Sequence, residues 1–124
     1  MGKRVHVVKR QPEYGNTEGF NWKYGEFHLF LALLSDNVTG DYFDESWEMP
    51  AEDFKRIIDF VKKFIKTNTD EKLDELCDEY GIEKEEFVDA VYDMETTTPK
   101  LLETLKGFYK ERDKHSNWIQ FHAW

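Results

Sequence analysis

Residues 50–66, PAEDFKRIIDFVKKFIK, decide the fold class because they contain the clearest amphipathic helix in the chain. Their apolar side chains recur at the i, i+3, i+4 and i+7 spacing that places them on one face. These side chains are Phe54, Ile57, Ile58, Val61, Phe64 and Ile65. Pro50 suits the first turn of a helix, and the charges of Glu52 and Asp53 suit its positive end. A helix with one apolar stripe must bury it against another layer, which the remaining segments have to supply.

Four further segments show helical spacing on either side of this helix. They are residues 26–35, residues 70–80, residues 84–94 and a segment that begins at Thr98. The first is apolar around most of its circumference, because Leu29 and Leu33 widen its stripe, and we expect it to lie centrally in the core. Gly81 supplies the left-handed stop between the second and third segments, and Pro99 suits the first turn of the last.

Strands are indicated near both ends of the chain. The strand segments are residues 4–10, residues 117–124 and, as a short middle strand, residues 42–49. Residues 11–25, rich in glycine and aromatic side chains, are interpreted as a loop, and residues 37–40 as a turn. We therefore predict an α+β fold, in which about five helices pack on a small antiparallel sheet formed by the N- and C-terminal strands, within one globular domain spanning residues 1–124.

Composition favours a folded cytoplasmic protein. The single cysteine, Cys77, excludes an intrachain disulfide framework and suits a reducing compartment. The apolar run that follows the basic start is shorter than a signal peptide requires, and the longest apolar stretch, residues 27–34, is too short to cross a bilayer. We predict a cytoplasmic location without membrane association.

The acidic charge is concentrated in one segment. The formal net charge is −9, and residues 70–95 hold twelve acidic side chains against Lys72 and Lys84, a local balance of −10 that leaves +1 for the remainder. Such a charge disfavours binding to nucleic acids and anionic membranes. The first 25 residues are locally basic, and their attraction to the acidic segment of a second copy would allow a homodimer.

Residues 73–88, LDELCDEYGIEKEEFV, resemble a DNA-binding helix-turn-helix, in which two apolar helices meet at a glycine turn. The second helix of that motif needs basic or amide side chains to dock on phosphate and read bases. Here it presents carboxylates instead, so we expect no direct nucleic-acid binding. The candidate interaction residues on this helix are Glu83, Glu85, Glu86, Asp89 and Asp93.

These carboxylates suit a basic protein partner. One specific form of this function is an acidic inhibitor or immunity-type protein that binds a basic nucleic-acid-handling protein. The alternative is a solvated helix face that keeps the protein soluble.

The second candidate surface is the outward face of the sheet. If Val5 and Val7 point inward, alternation places the candidate interaction residues His6, Trp118, His122 and Trp124 on the other face. An aromatic face is either covered by another part of the chain or used for recognition. His6 and His122 could come close, but their spacing matches no known ligand pattern, and we predict no metal site.

Catalytic motifs are not evident in the sequence. The glycines at 15, 19 and 25 lack a phosphate-binding spacing, and the acidic residues lack the spacing of a calcium loop. Cys77 is interpreted as a small buried hydrophobe. We therefore predict a non-catalytic protein-protein interaction module without a cofactor. A small enzyme of unknown reaction is the alternative, since an active site can assemble from distant residues.

Overall fold

The computed structural model describes residues 5–10, 13–14, 24–41 and 46–123. Within these residues the chain has the predicted α+β fold, with five helices and an antiparallel sheet. The strands are β1 (Val5–Arg10), β2 (Glu13–Tyr14), β3 (Thr39–Asp41), β4 (Ser46–Pro50) and β5 (Trp118–Ala123). The helices are α1 (Tyr24–Leu34), α2 (Ala51–Lys66), α3 (Asp70–Tyr80), α4 (Lys84–Asp93) and α5 (Thr98–Glu111).

The strand order across the sheet is β2-β1-β5-β4-β3. The two terminal strands pair antiparallel, with Val7 opposite Phe121, and β4 forms the middle strand that the sequence allowed. The sheet is wider than predicted, because β2 lies within the expected loop and β3 overlaps the expected turn. Both are too short, at two and three residues, to show a strand pattern of their own.

The core lies between the inward face of this sheet and the helices. Val5 and Val7 are buried as predicted, together with Ile119 and Phe121. The Phe121 ring is the hub of an aromatic cluster, with its centroid 5.6 Å from those of Phe27 and Phe54 and 5.4 Å from that of Phe108. These three partners belong to three different helices, α1, α2 and α5, so one side chain joins them to the sheet.

Helix α2 buries four of the six residues in its predicted stripe, and Phe64 is only partly buried. Phe54, Ile57, Ile58 and Val61 are buried, whereas Ile65 in the last turn is 38% exposed. The prediction for Ile65 was wrong although eleven residues, about three turns, keep it on the same side of α2 as buried Phe54. Periodicity gives the side of the helix that a residue occupies, but not how far along the helix the core covers that side.

The end of α1 is fastened to the start of α2. The Ser35 hydroxyl donates a hydrogen bond of 2.8 Å to Oδ2 of Asp53, and the side-chain Nδ2 of Asn37 donates a second, of 2.9 Å, to the same oxygen. On the other flank of α1, the Phe30 ring lies 6.0 Å from the ring of Phe87 on α4. Helix α1 is therefore held between α2 and α4.

None of the helices in the described part of the chain is both long and apolar enough to span a membrane.

Candidate functional site

The acidic residues predicted for recognition are carried by a rigid helical hairpin, α3 and α4. The Thr69 side chain accepts a hydrogen bond from the backbone N–H of Lys72 and caps α3, and Gly81, at φ 68°, ends it in the left-handed conformation as predicted. Lys84 in the first turn of α4 forms an ion pair of 3.1 Å with Asp74 on α3. The hydrogen bond to Asp74 raises the pKa of the Lys84 ammonium.

Helix α4 is amphipathic, with a buried apolar face and an exposed acidic face. Phe87 and Val91 enter the core, and Met94 just after the helix is also buried. The predicted interaction residues Glu83, Glu85, Glu86, Asp89 and Asp93 are all exposed. The helix therefore presents its carboxylates to solvent, as any partner-binding surface requires.

A groove of about 330 Å³ lies between α4 and α1 and contains three of these carboxylates. From α4 it is lined by Glu86, Asp89, Ala90 and Asp93, and from α1 by Glu26, Leu29 and Leu33. Leu29 is 59% exposed and Leu33 is 38% exposed. The groove thus combines exposed leucines on α1 with carboxylates that lie mostly on α4.

The exposure of α1 differs from the sequence prediction. Leu29 and Leu33 were expected inside the core, because an apolar helix is ordinarily surrounded by protein. In the structure Phe27, Phe30, Leu31 and Leu34 face the core, while the opposite side of α1 is open. The apolar circumference noted in the sequence was the signal for this site. It could not distinguish burial inside the chain from exposure on its surface.

Within the described part of the chain, no cationic side chain is bonded to the carboxylates of the groove. Among the described residues, Glu26, Glu86, Asp89 and Asp93 take part in no ion pair or hydrogen bond through their side chains. Like charges on one surface repel each other, and exposed leucines carry the free-energy cost of hydration. A ligand that is both cationic and apolar would reduce the repulsion between the carboxylates and remove the leucines from water.

No family model matches this chain, and no curated protein or solved structure does either. Its function therefore has to be inferred from the geometry and chemistry of the described residues.

The outward face of the sheet is the second candidate surface. His6 pairs with His122 across β1 and β5, as the sequence suggested, and His122 also pairs with Ser46 on β4. Gln120 donates a hydrogen bond of 2.9 Å to a carboxylate oxygen of Glu48. These strands border a pocket of about 240 Å³, and the described residues that line it are Thr39, Gly40, Ser46, Trp47, Glu48, Gln120, Phe121 and His122.

Parts of this face differ in exposure. Val8, which alternation places on the same face as His6, is only 4% exposed, whereas Trp118 is 39% exposed. Trp124 lies outside the described residues. Among the residues that are described, no group of three or more potential ligands could hold a metal ion. The pocket gathers one imidazole, His122, and one carboxylate, Glu48, and that carboxylate already accepts a hydrogen bond.

Cys77 is the one nucleophilic thiol in the sequence. Cys77 is buried, and burial raises the pKa of its thiol, with Asp74 adding to the effect. A protonated, buried thiol is a poor nucleophile, which agrees with the interpretation of Cys77 as a small hydrophobe.

A groove between α2 and α3 is lined by three lysines and two glutamates: Lys63, Lys66, Lys72, Glu75 and Glu79. Its mixed charges select no single class of ligand.

Proposed function

We propose that this protein is a non-catalytic interaction module that binds a basic protein through the groove between α1 and α4. The observation that carries this proposal is the juxtaposition of exposed Leu29 and Leu33 with the carboxylates of Glu86, Asp89 and Asp93. Exposed apolar side chains that cluster beside polar ones are typical of protein interaction sites.

The two chemistries of the groove contribute in different ways. Burial of the two leucines stabilises a complex through the hydrophobic effect. The carboxylates accelerate encounter with a basic surface and disfavour acidic partners, including nucleic acids. The lone Cys77 favours the reducing cytoplasm as the compartment in which this binding takes place.

The proposal is tested with a triple charge-reversed variant, Glu86→Lys, Asp89→Lys and Asp93→Lys, which we call the groove variant. Tagged wild type and groove variant are used to capture proteins from the native host lysate at moderate salt, and captured proteins are identified by mass spectrometry. A control variant reverses Glu71, Asp78 and Glu103, which are also exposed but do not line the groove. Both variants carry the same net charge.

We expect wild type and control variant to retain one basic protein that the groove variant loses, and the purified pair should re-form the complex. Equal capture by all three proteins, or equal loss by both variants, would show that the groove is not the binding site. Light scattering at low and high salt tests a second copy of the chain as the partner, since a charge-driven dimer dissociates as ionic strength rises.

A further inference from the structure

The shape of the α1–α4 groove restricts the conformation of what it binds. Both walls are α-helices, whose backbone N–H and C=O groups are bonded within each helix. An extended peptide gains its affinity from hydrogen bonds to the open edge of a sheet, which two helices do not offer. The groove therefore favours a partner segment that satisfies its own backbone, as an α-helix does.

We infer that the groove receives a basic amphipathic α-helix of its protein partner, an inference that rests on the proposed function. Leu29 and Leu33 stand four residues apart on α1, about 6 Å along its axis at the helical rise. An incoming helix repeats apolar side chains at the same i, i+4 interval. Ala90, which lines the groove from α4, is small and leaves room for those side chains.

The carboxylates match the flanks of such a helix. Glu86, Asp89 and Asp93 lie at intervals of three and four residues, so they form one stripe about 10 Å long on α4. Glu26 stands on the opposite wall, on α1. Because Glu26, Leu29 and Leu33 stand at i, i+3 and i+7, Glu26 continues the leucine row at its N-terminal end. A helix lying on the leucines meets negative charge along the side that faces α4 and again near Glu26, and its complement is an apolar stripe with lysine or arginine on the flank toward α4 and near that end.

The inference is tested with a fluorescein-labelled peptide of leucine and lysine whose leucines recur at i, i+3, i+4 and i+7. A second peptide has the same composition and charge but a scrambled order that forms no apolar stripe. Binding to the purified full chain is followed by fluorescence anisotropy at moderate salt. We expect the amphipathic peptide to bind at least about tenfold more tightly than the scrambled one, and to gain helical circular dichroism on binding.

The exposed leucines are tested by a double variant, Leu29→Ser with Leu33→Ser, and a matched control, Ala32→Ser. Ala32 is exposed on α1 but does not line the groove. We expect the double variant to lose the preference for the amphipathic peptide while the control keeps it. Because the changed residues are exposed, unchanged circular dichroism of the free variants is expected and confirms that they fold.

Two results separate this inference from the proposed function. If both peptides bind wild type equally, the groove does not select an amphipathic helix and the inference fails, whether or not the groove variant has lost its protein partner. If the amphipathic peptide is selected through the leucines but the groove variant still captures the same lysate proteins as wild type, the groove selects an amphipathic helix, but the proposed function fails because those proteins bind elsewhere.

Discussion

At the scale of single residues, Gly40 illustrates a position where the backbone geometry permits only glycine. It stands in β3 at φ 99°, a conformation that L-residues with a Cβ rarely adopt. A Cβ there would lie 2.6 Å from the carbonyl oxygen of Ser46 and 2.8 Å from Cα of Trp47. Both contacts are with backbone atoms, which cannot move aside as a flexible side chain would.

We therefore expect Gly40→Ala to lower the free energy of unfolding by at least about 2 kcal/mol, from the strained φ and the steric clash together. The matched control is Gly107→Ala in α5, where an added Cβ meets nothing within 4 Å. That change should raise stability by about 0.5 to 1 kcal/mol, because alanine has the higher helix propensity. Urea denaturation of the three proteins measures both effects. Wild-type stability of Gly40→Ala would contradict the geometry of β3.

At the scale of elements, the helices were predictable because their signals are local. Helical spacing, Pro99 and Gly81 are all visible within a few residues of sequence, and the helices appear where these signals place them. Strand alternation placed His6 and His122 on one face but did not fix the register between the strands, and the structure pairs the two residues directly. The two short strands were missed, since β2 and β3 are defined by their neighbours in the sheet and not by their own sequence.

Only one of the two walls of the candidate site could be predicted from the sequence. The exposed carboxylates of α4 followed from amphipathic periodicity, because they alternate with Phe87 and Val91. The other wall of the groove depends on how α1 packs, with the Phe30 side against α4 and the Leu29 side open. That choice is made by tertiary contacts between distant segments, which no pattern within α1 records.

The α3–α4 hairpin yields a prediction of its own, because it has the glycine turn of a helix-turn-helix but the opposite charge. We expect the wild-type protein to show no salt-sensitive binding to a labelled DNA duplex in the micromolar range at low salt, since the exposed carboxylates of α4 repel phosphate. Fluorescence anisotropy measures this. The groove variant, with three lysines on α4, serves as the control and should gain weak binding that salt abolishes. Micromolar, salt-sensitive binding by the wild type would reverse our conclusion about this hairpin.

At the scale of the whole molecule, the segregation of charge sets how stability depends on salt. Residues 70–95 carry a balance of −10, so most of the negative charge of the protein lies on α3 and α4. The ion pair between Lys84 and Asp74 opposes this repulsion, but an exposed pair contributes little. Repulsion among the remaining carboxylates destabilises the folded state more than the expanded unfolded chain, where the charges lie farther apart.

Added NaCl should therefore raise the melting temperature. Between about 0.01 M and about 1 M salt the Debye length falls from about 30 Å to about 3 Å, which screens repulsion between neighbouring helices. A gain of about 1 kcal/mol corresponds to about 3 to 6 °C for a chain of this size. The groove variant is the control: each of its three changes from acid to lysine removes one negative charge and adds one positive charge, so the net charge goes from −9 to −3. Its melting temperature should rise less over the same range. An equal rise in both proteins would assign the effect to salt acting on apolar surface, and a fall in the wild type would show that attractive ion pairs, not repulsion, dominate the electrostatics of this fold.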